Sequence, residues 1–221
     1  MSMISNAEVE AQSKANYDEA AVKPYKLPDP LRTVEGREVT TPELWTKTRR
    51  PELLRLFESQ VFGKTPTPAN PINVTSQVVS EDSNALGGKA VRRDITIRFG
   101  DGPDAPHMDL LLFLPRDASA AHRAPAFLGL NFHGNHAVSN EPGVRMPTTW
   151  MRDNKGKVVD HKATEAGRGA ASDRWCVEKV VGRGYALATV YYGDIDPDFD
   201  DGFQNGVQPL FYRPGQTKPD P

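Results

Sequence analysis

Apolar positions along this chain follow two periods, and the change between them marks its organisation. Toward the N-terminus Leu53, Leu54, Phe57 and Val61 recur at helical spacing, behind an opening at Pro51 and ahead of a stop at Gly63. Thr41-Pro42 is an earlier helix opening, with a cap residue followed by proline at the first helical position. After the Pro-rich "GKTPTPANP", a linker or loop, the period shortens to two. "VTSQVVS" (74–80) and "AVRRDITIRFG" (90–100) are β-branched and partly alternating, with the turn signal "DSNALGGK" between them. "HMDLLLFLPR" (107–116) and "APAFLGLNFHG" (124–134) follow, and the second is a near-continuous apolar run suited to a strand covered on both faces. Ser172 is placed to cap a helix carrying Trp175, Val177, Val180 and Val181 and closed by Gly182 and Gly184. "YALATVYYGD" (185–194) is the next buried strand. Between these elements, 140–171 is rich in glycine, proline and charge, with Trp150 as its apolar anchor. Residues 195–221 read as loop.

Several strands, one helix and a further strand open an α/β fold, a central and mostly parallel sheet with flanking helices. A single helix between strands covers too little of such a sheet, so the fold reads as incomplete, with sheet edge and apolar surface left exposed. The 221 residues are enough for one substantial core. They divide into a polar N-terminal arm over 1–25, Pro-punctuated like the residues after it, and an α/β body over 26–221. A net charge of −2 gives no global electrostatic case for nucleic acid or an anionic membrane as partner. No run of 18 apolar residues suggests a transmembrane helix. The first residues lack the basic and apolar regions of a signal peptide. Cys176 is the single cysteine, so an internal disulfide and a cysteine-based zinc site are both excluded. It reads as a small apolar residue on a helix.

The apolar strand ending at Asn131 breaks abruptly into Phe132, His133, Gly134, Asn135 and His136. Three readings are open. His133 and His136 form an H-x-x-H pair, yet His107, His122 and His161 are scattered and supply no third metal ligand at an obvious spacing. The imidazoles can instead serve a turn by bonding to backbone. Alternatively, Gly134 and Asn135 tolerate positive φ, and a turn at the carboxyl end of a strand can aim backbone N–H groups at a developing oxyanion. The acidic loop "GDIDPDFDDG" (193–202) spaces Asp196, Asp198 and Asp200 like the start of a calcium loop. It carries Asp201 where glycine is needed and Val207 where glutamate is needed, so turn formation by aspartate is the better reading. No G-x-S-x-G, Walker-A loop or dinucleotide fingerprint occurs anywhere.

"LPDPL" (27–31), "RRPELLRLFESQVFGKTP" (49–66), "FLGLNFHGNHAV" (127–138) and "DRWCVEKVVGRGYALATVYYGDIDPDFDDG" (173–202) resemble, in order and spacing, the N-terminal half of bacterial glucuronoyl esterases of carbohydrate esterase family 15. Acetyl xylan esterase-like relatives share the "RRPELL" region. The resemblance implies an α/β-hydrolase fold and a serine esterase without metal or cofactor. Its substrates would be glucuronoxylan-type carbohydrate esters, cleaved between 4-O-methyl-glucuronic acid and lignin alcohols. The family's serine, acid and histidine lie beyond the strand that would follow Pro221, so none is carried over, and the chain alone is expected to be inactive. The missing C-terminal half becomes a candidate partner. Phe132, His133, Gly134, Asn135 and His136 are expected on the active-site rim, and Asp194 and Asp196 on a substrate loop. Family members are normally exported, whereas no leader is read here. A non-catalytic carbohydrate-binding remnant, with Trp45, Trp150 and Trp175 as platforms, is the competing expectation.

Overall fold

The structure, a computed structural model, describes residues 17–68, 71–102 and 104–219. Most of the predicted N-terminal arm therefore lies outside the described residues. The chain forms two compact units that divide between Thr65 and Pro66, inside the Pro-rich stretch.

In the first unit, Thr41 caps a helical turn over Pro42–Leu44, its side chain accepting from the Leu44 N–H at 3.2 Å. Pro51 does not start a separate helix. A π-helical turn over Trp45–Arg49 leads directly into helix α1, Arg50–Phe57. The Arg50 N–H bonds to the Trp45 carbonyl five residues back, a wider turn that gives a proline ring room inside a continuing helix. A second π turn, Glu58–Phe62, runs to Gly63 at φ +75°, where the helix stops. Arg49 is the buried cation among the described residues of this unit. It bonds to the Pro30 carbonyl at 3.0 Å and to Glu52 at 3.1 Å, tying the "LPDPL" segment to the helix.

The second unit is a five-stranded sheet of order β1-β2-β3-β7-β4: β1 Val74–Asn84, β2 Ala90–Phe99, β3 His107–Pro115, β4 Ala126–Asn131 and β7 Ala186–Tyr191. A small ribbon, β5 Val158–Val159 with β6 Lys162–Ala163, sits in the long loop. The sheet is mixed, not mostly parallel: β1, β2, β3 and β7 pair antiparallel, and only β4 runs parallel to β7. Short hairpin connections between the early strands enforce this direction. At the first hairpin, Leu86 (φ 54°) and Gly87 (φ 66°) turn left-handed, and Glu141 accepts from the Leu86 N–H at 3.0 Å.

Ser172 stands inside helix α2, Ser172–Trp175, and caps nothing. Cys176, at φ 45°, breaks the predicted helix before α3, Val177–Val181. Cys176 is thus a hinge between two short helices, not a residue on one. The break lets Trp175 pack over Gly129, where a Cβ would come within 3.3 Å of the indole.

Cross-strand pairing assigns the two faces. One carries Leu111, Phe113 and Leu187, buried beneath Val138, Val144, Val177 and Val181. The opposite face carries Ile95, Leu110, Leu112 and Leu114, only half-buried. Strand β4 is not covered on both faces. It is one of the sheet's two edge strands among the described residues, with β1 at the other end, and Phe127 (58%), Leu128 (75%) and Leu130 (52%) are exposed. Its composition is that of an interior parallel strand, and its position supplies a neighbour on one side only.

Candidate functional site

The predicted rim residues lie together where the chain leaves β4, at the carboxyl ends of the parallel pair. Their environments differ sharply. Phe132 and His133 are exposed, whereas Gly134, Asn135 and His136 are buried. Phe132 leans on Tyr192 with ring centroids 5.1 Å apart. Gly134 takes φ +83°, ψ 153°, and a Cβ there would sit 2.8 Å from Pro147 Cγ and 2.9 Å from His136 Nδ1. Glycine is therefore required twice, for its backbone and for the space. Asn135 does not use a positive φ; it starts the 3₁₀ turn Asn135–Ala137. No protein acceptor is found among the described residues for the N–H groups of His133 and Gly134.

A buried side-chain network holds this turn, and its key member, Asn131, was not singled out from the sequence. Asn131 Nδ2 donates to Asn135 Oδ1 at 2.8 Å and to Thr189 Oγ1 at 3.1 Å, and Asn135 Nδ2 donates to the Asp109 carbonyl at 2.7 Å. The Asp109 N–H donates to Asp194 at 3.0 Å, and Thr149 Oγ1 donates to the other Asp194 oxygen at 2.6 Å. Burial pushes the Asp194 carboxyl above the usual carboxylate range. Asp194 thus fastens β3 and the 140–171 loop beneath the site, while Asp196 is exposed and accepts from Gln208 at 3.2 Å. An asparagine ending an apolar strand was the one available signal for Asn131, since a buried amide needs partners nearby.

His136 is 1% exposed, and neither ring nitrogen has a partner among the described residues. Desolvation, reinforced by the Arg168 guanidinium, holds its pKa down at about 4, so the ring is neutral near pH 7. The backbone around it is stitched to the long loop: Gly169 N–H donates to the His136 carbonyl at 2.9 Å and Ala171 N–H to the Ala137 carbonyl at 2.8 Å. Arg168 secures the same loop through the carbonyls of Glu141 and Val144. A cavity of about 350 Å³ opens beside this turn, walled by His136, Met151, Tyr191 and Tyr192.

Among the described residues no group of three or more His, Cys, Asp or Glu is placed to hold a metal ion. The aspartates of the acidic loop diverge: Asp198 pairs with Arg152 at 3.0 Å, and Asp200 accepts from the Gly202 N–H. Trp150 is no open platform, because His161 stacks on it at 4.8 Å and Phe199 packs at 5.1 Å.

No protein-family model matches the chain. Solved structures do. It superposes on a glucuronoyl esterase from Solibacter usitatus with a TM-score of 0.80 and 48% identity, over 92% of this chain and 50% of that one. The chain matches one half of a carbohydrate esterase family 15 glucuronoyl esterase. A promiscuous family 15 esterase from a marine bacterial metagenome agrees, with a TM-score of 0.75 and 44% identity over the same shares. So does the carbohydrate esterase MZ0003 of an unknown prokaryotic organism, 45% identical over 206 residues, which are 93% of this chain and 46% of that protein. The chain therefore spans about half the length of the glucuronoyl esterases it matches. The mixed five-stranded sheet fits an α/β-hydrolase fragment, as the resemblance implied.

Proposed function

We propose that this chain is the oxyanion-bearing half of a glucuronoyl esterase-type serine hydrolase, acting on glucuronoxylan-type carbohydrate esters once a second half supplies serine, acid and histidine. The observation that carries the reading is the turn after β4. Gly134 holds a backbone shape closed to other residues, the Asn131–Asn135 pair fixes that turn from below, and two neighbouring amides have no protein acceptor. Such preorganised donors stabilise charge that develops on a carbonyl oxygen during acyl transfer. The free edge of β4 supports the same reading. A strand added there in parallel would end beside Phe132–His136, where α/β folds place their reacting groups. A nucleophile on the turn after that strand would face the open amides.

The test is hydrolysis of a glucuronic acid ester by the chain alone and by the chain extended with the complementary segment of the Solibacter enzyme. Turnover is expected only from the extended protein. Gly134→Ala in the extended protein keeps the backbone N–H groups but forces the turn to shift, and the misaimed donors are expected to lower kcat by about 100-fold. Hydrolysis by the chain alone would overturn the assignment of the nucleophile to the other half.

A further inference from the structure

The β3–β7 ladder runs from Phe113–Leu187 to Leu110–Val190 and then stops, although β7 continues beside β4 to Tyr191. Asp109 is the next β3 residue beyond that end. In an antiparallel ladder one residue presents its N–H and its C=O to the same neighbour. At Asp109 both groups are taken by side chains in place of a strand. Asp194 accepts from the N–H at 3.0 Å, and Asn135 Nδ2 donates to the carbonyl at 2.7 Å. The turn after β4 and the turn after β7 therefore meet on one backbone residue. Asp194 reaches it because the chain folds back in the 3₁₀ turn Tyr192–Asp194. Gly193 permits that turn, since a Cβ there would run into the Tyr191 ring.

Both Asp194 oxygens are engaged inward, one with the Asp109 N–H and the other with the Thr149 hydroxyl at 2.6 Å, and the residue is buried. Tyr192 walls the cavity beside the turn, but Asp194 does not. We propose that Asp194 is the positioning residue of the oxyanion turn: by holding the Asp109 backbone it fixes Asn135, and Asn135 sets where the His133 and Gly134 amides point. Its carboxylate touches no substrate. The role rests on the esterase reading for the reaction that the turn serves, and not for the coupling between the two turns. Removing the carboxylate leaves the Asp109 N–H and the Thr149 hydroxyl unpaired where no strand replaces it, so the acceptor that holds Asn135 is no longer fixed. Asparagine at this position keeps both bonds. Its oxygen accepts from the Asp109 N–H, and its amide donates to Thr149 Oγ1, because a hydroxyl accepts as well as donates. What the turn requires of residue 194 is shape and hydrogen bonding, and not charge.

Amide hydrogen exchange followed by NMR on the chain as it stands tests the coupling. The reporters are the Ala137 and Val138 N–H groups, which bond inside the turn to the Gly134 and Asn135 carbonyls at 3.0 and 3.1 Å. Asp194→Ala is expected to speed their exchange about tenfold, the scale of one lost buried hydrogen bond, while the β2–β3 ladder keeps its wild-type protection. Asp194→Asn is expected to stay within about twofold of the wild type at the same amides. Unchanged exchange in the turn overturns the inference, as does a uniform acceleration of turn and ladder, which reports lost global stability alone. Should Asp194→Ala not fold, Thr149→Val withdraws one of the two anchors of the carboxylate at a half-buried position. A several-fold acceleration confined to the turn is then expected, and its absence is equally fatal. In the extended protein Asp194→Ala is expected to lower kcat for a glucuronic acid ester about tenfold with KM unchanged, and Asp194→Asn to retain it. A raised KM with unchanged kcat would return Asp194 to the substrate loop and overturn the positioning role. If the extended protein shows no turnover at all, the esterase reading fails, while the exchange measurement still decides the coupling.

Discussion

The neutral, buried state of His136 makes a quantitative claim about stability against pH. In the unfolded chain its pKa is near the ordinary 6.5, and in the folded protein it is held at about 4, by desolvation first and then by Arg168. The unfolded state therefore binds the proton more readily between those values, so stability is fully present above about pH 6.5 and falls as pH drops toward 4. Moving from pH 7.5 to 5.0 costs about 2 kcal/mol on this account, and the whole shift is worth about 3 kcal/mol below pH 4. With the ring 1% exposed, solvent screening does not discount the effect. Asp94 and Asp194 act with the opposite sign. Burial raises both carboxyls, so each favours the folded state as pH falls. The clean measurement is therefore a difference. Urea unfolding of the wild type and His136→Phe, followed by tryptophan fluorescence from pH 7.5 to 5.0, should show the wild type losing about 2 kcal/mol relative to the variant. A difference that stays constant with pH refutes the argument. Should the variant fold poorly, the His136 ring proton in the wild type decides alone: titration near 6.5, in place of about 4, would be equally fatal.

Three further predictions follow from the same geometry. Gly134→Ala forces a Cβ at φ +83° to within 2.8 Å of Pro147, and should lower the free energy of urea unfolding by about 1–3 kcal/mol; an unchanged midpoint would mean the turn is free to relax. Asn135→Ala deletes bonds to Asn131 and to the Asp109 carbonyl, leaving buried groups unpaired, and should cost about 2 kcal/mol in the same assay. Replacing Leu128 and Leu130 by lysine, at side chains 75% and 52% exposed on the β4 edge, should suppress self-association in sedimentation velocity and shift stability by no more than about 0.5 kcal/mol. A large destabilisation there would show that the edge is already covered.

Where the sequence was legible, the cause was local. The Thr41-Pro42 start and the Gly63 stop are set by caps and dihedral limits within a few residues, and both appear as expected. The strands were legible because period two survives any arrangement of neighbours. Their order and direction were not, because pairing is decided between residues far apart in the chain, as when Leu110 meets Val190. Pro51 inside a helix and the Cys176 break escaped for a related reason: each is permitted by a compensating turn, and such compensation leaves little trace in periodicity. The site behaved likewise. Gly134 could be picked out as a glycine at a strand end, but the network beneath it joins residues as distant as Asn131 and Thr189, so its strength lies in tertiary placement.

The two largest departures from a finished domain point the same way. Strand β4 has the apolar composition of an interior strand but lies at an edge, and the face bearing Leu110 and Leu112 is apolar but only half-buried. A chain selected to be complete at this size would pay for such surface in aggregation, and would carry charges or prolines along the edge to blunt it. None stands between Ala126 and Asn131. Asn131, Gly134 and Asn135, held by buried hydrogen bonds and a positive-φ turn, lie where this open edge meets the carboxyl end of the sheet. Rigidity in a turn beside an unfilled strand position is of little use to the isolated sheet. Under the proposed esterase reading it becomes useful, because a strand filling that position would bring a reacting group against the turn.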